Sequence, residues 1–234
     1  MSYLGVLVLL SLLIVLHEAG HLCAARLAGI PVSGFSVGFG PKIWKRRWGK
    51  VEYCLRLLPL GGFVTPAADE SDFGAISLAR RIVFFAGGPL ANLAVALPLF
   101  AISNGIEQGW SFYQLCIAPF GQVAAACWRL VTILPGLFAQ PDTLSGPLGI
   151  VVEGARAARA GMALTVALSL NLSLAVLNLL PIPLLDGGQI TMAVLEKIFP
   201  PLIRLRAPLT LLGMLFLAGV MLYANVQDLA RLLA

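Results

Sequence analysis

Charged side chains are scarce in this chain: 12% of its 234 residues, where soluble domains carry about 25%. With 59% of residues hydrophobic and a mean hydropathy of +0.91, that shortage excludes an ordinary soluble enzyme. Cysteine is sparse as well. Cys23, Cys54, Cys116 and Cys127 show no C-x-x-C spacing, so neither a disulfide framework nor a zinc finger is expected. No basic residue precedes the first apolar run and no plain cleavage site follows it, so this run is expected to remain as an anchor. The net charge is +5, but the basic residues cluster in one loop and there is no separate soluble module to carry a nucleic-acid site. Nucleic acid is therefore not an expected partner; the lipid bilayer is. The chain reads as a multi-pass membrane protein, a single domain over residues 1–234.

What is present begins with His17-Glu18-Ala19-Gly20-His21, set inside an apolar run from Tyr3 to about Cys23. A charge at the centre of a span costs roughly 2.5–3.5 kcal/mol, so ionisable groups at that depth persist only when compensated. On a helix His17 and His21 are i and i+4 and share a face. That spacing places two nitrogens within reach of one Zn2+ ion, and Glu18 beside them is placed to take a proton from a zinc-bound water.

The first span is expected over residues 3–26. Nine basic residues lie between Arg26 and Arg81, which puts that segment on the cytoplasmic side and the N-terminus outside. His17 lies roughly 13 Å of helix from Arg26, so the site is within the bilayer, nearer its cytoplasmic side. Residues 31–66 alternate as strands do, with a turn at Trp48-Gly49-Lys50. Two roles stay open for this hairpin: an anchor at the headgroups held by Trp and basic side chains, or a strand edge that pairs with unwound substrate. Residues 66–78 read as a polar loop with Asp69, Glu70 and Asp72.

A second span is expected over 82–103, where Gly87-Gly88-Pro89 allows close backbone approach or a kink. Asn92 lies at about the depth of His17, as an interhelical hydrogen bonder or as a residue facing the site. Residues 109–139 are apolar enough to cross but interrupted by Gln114, Gln122, Arg129, Pro119 and Pro135. If they crossed, the next span would end on the face opposite the zinc site, so an amphipathic helix on the outer surface is expected. A third span over 162–180 leads into Asn178-Leu179-Leu180-Pro181-Ile182-Pro183-Leu184-Leu185-Asp186-Gly187-Gly188. The prolines break the helix, and broken helix at membrane depth must be buried in protein or line a wet cavity. Asp186 emerges at the level of the histidines. A helix-capping role is the plain alternative, but matching depth favours it as the third zinc ligand. A fourth span is expected over 208–223.

The chain resembles the site-2 protease family of intramembrane zinc metalloproteases. The resemblance runs over nearly the whole sequence and rests on H-E-A-G-H at 17–21 and on Asn178-x-x-Pro181-x-Pro183-x-x-Asp186-Gly187. Weaker support comes from Gly-Phe-Gly-Pro at 38–41, Pro-Leu-Gly-Gly-Phe at 59–63, Gly87-Gly88-Pro89-x-x-Asn92 and Ser145-Gly146-Pro147-x-Gly149-Ile150. It is similar to the bacterial four-span members that clip anti-sigma factors and remnant signal peptides. The resemblance implies a bacterial inner-membrane protein with four transmembrane helices, a cytoplasmic-side re-entrant β-hairpin and single-span membrane proteins as substrates. It further implies His17, His21 and Asp186 on zinc, Glu18 as general base, and Asn92, Asn178, Pro181 and Pro183 at the substrate. One departure stands out. That subgroup usually carries PDZ domains between the second and third spans, and about forty residues between Ser103 and Ser145 are too few for one. An adaptor in place of the PDZ domain is the partner this implies. The rival reading is a metal transporter using the same cluster, which has no need of a base beside its ligands.

Overall fold

The computed structural model describes residues 2–67, 76–139 and 145–233. Most of the acidic loop expected at 66–78, with Asp69, Glu70 and Asp72, lies outside the described residues. The elements are α1 (Tyr3–Leu27), β1 (Val32–Trp48), β2 (Val51–Pro66), α2 (Leu78–Gln108), α3 (Ala118–Ala139), α4 (Pro147–Ala157), α5 (Ala163–Asn178), α6 (Asp186–Ile198) and α7 (Arg206–Leu233). A π-helical turn at Tyr113–Ile117 leads into α3, another at Ala158–Met162 joins α4 to α5, and a 3-10 turn at Pro200–Leu205 precedes α7. Among the described residues five helical segments are long and apolar enough to cross a membrane: Tyr3–Leu27, Leu78–Gln108, Tyr113–Gly136, Pro147–Asn178 and Pro200–Leu233. Helix is what such sequence requires in lipid, because every backbone donor is satisfied within the segment.

Several helices outrun their sequence-based limits. The third expected span, 162–180, falls on α5 (Ala163–Asn178), and α4 precedes it across a break at Gly161, whose φ of +89° suits glycine. The last runs on through Asn225–Leu229 to Leu233. The stretch expected to lie on the outer surface, 109–139, contains a helix that also meets the length and composition for crossing.

The chain packs as two compact units. One comprises Leu10–Asn92 and Leu177–Thr210. In it α1 and α2 approach closely because Gly20 and Ala24 on one helix meet Gly87 and Ala91 on the other. A Cβ on Gly20 would strike the Gly87 carbonyl and Ala91, and one on Gly87 would strike Ala24. Two small residues four apart on each partner are how helices approach where lipid removes the hydrophobic drive for association. Leu22, Ala25, Ile30, Val32 and Phe84 form the buried core beside this crossing, with Phe35, Tyr53 and Val64 of the sheet packed against it. β1 and β2 pair antiparallel, and the register doubles back: Gly34–Val37 pair with Gly62–Thr65 and also with Glu52–Leu55, while Lys42–Trp48 pair with Val51–Arg56.

The other unit comprises Met1–Leu9, Leu93–Val176 and Leu211–Ala234. Polar groups clasp its helices. Asn104 of α2 and Gln122 of α3 exchange amide hydrogen bonds of 2.9 Å in both directions. The buried Asp228 carboxylate of α7 accepts from the backbone N–H of Gly146 and of Gly149, so it satisfies the α4 N-terminus, whose own N-cap residue Gly146 has no side chain for the task.

Candidate metal centre

The site lies wholly within the first unit described above. His17 and His21 project from one face of α1, and Asp186 opens α6. The Nε2 atoms of His17 and His21 are 3.2 Å apart, and Asp186 Oδ2 lies 3.1 Å from the first and 3.3 Å from the second. The outer face of each imidazole is held by an oxygen. Asn92 Oδ1 lies 2.6 Å from His17 Nδ1, and the Phe84 carbonyl lies 2.8 Å from His21 Nδ1. These acceptors assign the proton of each ring to Nδ1 and turn both Nε2 lone pairs inward. Two lone pairs and a carboxylate oxygen at such separations repel one another unless a cation sits among them.

The triangle also has the right size. A tetrahedral zinc ion with bonds of about 2.0–2.1 Å separates its ligand atoms by about 3.3 Å. Gly88 of α2 completes the fit: a Cβ there would run into Nε2 of both histidines, so the space beside the triangle is kept clear by the lack of a side chain. All three ligand candidates are buried or nearly so. The donor set of two imidazoles and one carboxylate fits zinc with an open fourth position.

Asp186 is held from behind. Leu185 is the N-cap of α6 and Asp186 is the first helical residue, so its carboxylate turns to the histidines and not to its own helix start. The preceding loop lies so close to α6 that a Cβ on Gly187 would strike the Leu179 carbonyl and one on Gly188 the Ile182 carbonyl. Gln189 donates to the Pro183 carbonyl and accepts from Arg206, pinning the loop. Within it Asn178 ends α5 half-buried, Pro181 is exposed and Pro183 half-buried. A buried ion pair between Arg81 of α2 and Glu196 of α6, at 2.6 Å, ties the other end of α6 to the helix that carries Gly88 and Asn92.

Glu18 is buried beside His17 on α1. The β2 backbone passes directly over it: a Cβ on Gly62 would lie 2.7 Å from Glu18 Cγ. Asn92, for which two roles stood open, is fully buried with its oxygen on His17. In this structure it orients an imidazole. The sequence reading missed the Phe84 carbonyl and Gln189, and it held Gly62 and Gly88 only as members of the Pro-Leu-Gly-Gly-Phe and Gly-Gly-Pro stretches, without a place at the site.

Comparison with known proteins agrees. The profile of peptidase family M50 matches residues 5–220. A protein of Chlamydia trachomatis is 38% identical over 125 residues, 44% of this chain and 20% of that protein. One of Clostridium perfringens is 27% identical over 324 residues, 94% of this chain and 96% of that protein. Both carry zinc-metalloprotease names. The Arabidopsis thaliana chloroplast protein named membrane metalloprotease ARASP is 30% identical over 173 residues, 68% of this chain and 36% of that protein. The chain thus spans well under half of the Chlamydia and Arabidopsis relatives and nearly all of the Clostridium one. The matched residues 5–220 contain both histidines, Glu18 and Asp186, and the chain belongs to peptidase family M50, the site-2 protease family of membrane zinc metalloproteases.

Proposed function

We propose that this chain hydrolyses peptide bonds inside the transmembrane segments of single-span membrane proteins, with His17, His21 and Asp186 holding zinc and Glu18 as general base. The triangle of ligand atoms at 3.1–3.3 Å carries the proposal. When bound, zinc polarises the scissile carbonyl and lowers the pKa of an attacking water. Glu18 accepts the proton that water loses and delivers it to the departing amine as the C–N bond breaks. His17 and His21 stay fixed by Asn92 and Phe84 throughout.

A substrate helix must unwind before its carbonyls can react, and its backbone groups then need new partners. The Gly62–Thr65 stretch beside Glu18 is suited to pair with such a strand. The Asn178–Pro183 loop, which leads into Asp186, is the second surface proposed for substrate; Asn92 serves through His17. The family resemblance supports anti-sigma factors and remnant signal peptides as substrates, in a bacterial inner membrane. The basic residues between Arg26 and Arg81 support an N-terminus outside and a site nearer the cytoplasm. On that orientation four helices cross and residues 109–139 lie on the outer surface. An adaptor in place of a PDZ domain remains part of the proposal. The 324-residue match to the Clostridium relative exceeds this 234-residue chain by some ninety positions, about the size of one small domain.

The test is incubation of purified protein in detergent with a model single-span substrate, with Glu18→Gln and a zinc chelator in parallel. Cleavage within the span, lost in both controls, is the expected result. Cleavage retained by Glu18→Gln removes Glu18 as the base. Zinc flux into vesicles without cleavage turns the reading to a transporter.

A further inference from the structure

The half of the sheet far from Glu18 has its own chemistry. Residues 42–52 hold five basic side chains and one acidic one, Glu52. Glu52 is taken by Lys42, whose hydrogen bond holds the Glu52 carboxyl below its usual range. Arg56 is also engaged, donating to Ser36 Oγ and to the Gly40 carbonyl. Lys45, Arg46, Arg47 and Lys50 are exposed and give this end a net positive charge.

The strand register sorts these residues. Trp44 faces Leu55, Arg46 faces Tyr53 and Trp48 faces Val51; the intervening pairs are Lys45 with Cys54 and Arg47 with Glu52. Side chains alternate along a strand, so Trp44, Arg46 and Trp48 share one face with Val51, Tyr53 and Leu55, while Lys45 and Arg47 take the other with Glu52 and Cys54. Tyr53 packs against the Leu22–Phe84 core, and beyond it the same face carries Trp44 at 51% and Trp48 at 80% exposure. Indole rings of this kind settle at the headgroup level of a bilayer. The ribbon therefore sets exposed indoles among basic side chains, with Arg46 between Trp44 and Trp48, and the segment that carries it is tethered between two candidate spans, α1 and α2.

We infer that this end of the sheet, Lys42 to Leu55, is a docking surface for anionic phospholipid: Trp44 and Trp48 enter the interface while Lys45, Arg46, Arg47 and Lys50 collect negatively charged headgroups. A juxtamembrane basic cluster is attracted to anionic lipid charge by charge, and the attraction is screened by salt. The surface is separate from the metal centre but belongs to the same sheet, since Gly34–Val37 pair both with Glu52–Leu55 and with the Gly62–Thr65 stretch beside Glu18. Lipid held at one end thus steadies the strand at the other. The inference rests on membrane placement, not on peptidase activity.

The test uses the full chain in nanodiscs of mixed phosphatidylcholine and phosphatidylglycerol, with Trp110 and Trp128 replaced by Phe so that Trp44 and Trp48 report. Brominated acyl chains are carried first on one lipid and then on the other, at equal mole fraction. Quenching about twofold or more stronger from the anionic lipid, shrinking as salt is raised, is expected. In Lys45→Gln/Arg46→Gln/Arg47→Gln the excess disappears while quenching from phosphatidylcholine persists. Equal quenching from the two lipids in the unsubstituted ribbon overturns the anionic preference. No quenching from either shows the tip in water and overturns the docking surface. A blue shift caused by an acidic peptide in discs of phosphatidylcholine alone, with equal quenching from both lipids, assigns the surface to a protein partner instead.

Discussion

The backbone of Gly62 lies against the side chain of Glu18, close enough that a Cβ at Gly62 would sit 2.7 Å from Glu18 Cγ and 3.0 Å from the Ser36 carbonyl. The proposed base and the strand proposed to hold substrate are thereby set in one geometry. Gly62→Ala forces one of them to move. Displacements near 1 Å at a reacting centre cost about 100-fold in rate. The expected outcome is a drop in kcat of that order with zinc content unchanged, checked by cleavage kinetics and metal analysis of the same preparation. Full activity in Gly62→Ala would show that Glu18 is not held by the strand.

Gly88 tests the metal centre from the opposite side. A methyl group there collides with Nε2 of both His17 and His21. Gly88→Ala is expected to lose zinc while remaining folded, read by metal stoichiometry alongside far-UV circular dichroism. Gly121 has nothing within 4 Å of its would-be Cβ, so Gly121→Ala serves as the control and keeps its zinc. Normal zinc in Gly88→Ala would mean that the ion binds elsewhere.

Asn92 acts on the metal at one remove, through a 2.6 Å contact with His17 Nδ1. Loss of such an outer partner costs about 10–100-fold in metal affinity. Asn92→Ala is therefore expected to weaken zinc binding by that factor in competition with a chelating dye. Its kcat at saturating zinc should fall less than that of Glu18→Gln, for which the loss of a general base predicts about 10²–10⁴-fold. An unchanged affinity would reduce Asn92 to a helix–helix contact.

Chelation gives a prediction independent of substrate. An ion that binds only the folded site stabilises it by about 2.7 kcal/mol at a concentration 100 times its Kd. Removing zinc should lower the thermal unfolding midpoint in detergent, and restoring it should reverse the loss. The same treatment of His17→Ala/His21→Ala should change nothing. A midpoint that shifts equally in that variant would place the stabilising ion outside this site.

The sequence by itself determined the membrane setting and half of the metal site. Apolar runs leave the backbone no option in lipid but helix. The four-residue spacing of His17 and His21 is a property of the α-helix alone, so it needs no tertiary information. Asp186 was within reach of sequence reasoning because membrane depth can be counted along a span. Only the tertiary structure decided the rest. Asp186 meets His17 across 169 positions of chain, and what aligns them is the close crossing of α1 and α2 at Gly20, Ala24, Gly87 and Ala91 together with the tightly wrapped loop before α6. The Phe84 acceptor is a backbone carbonyl, which any residue supplies and no residue type betrays. Gly62 over Glu18 depends on how a long hairpin doubles back, and strand register leaves little mark on a sequence of alternating residues. Local geometry is written in local spacing; convergence of distant atoms on one point is written only in the packing.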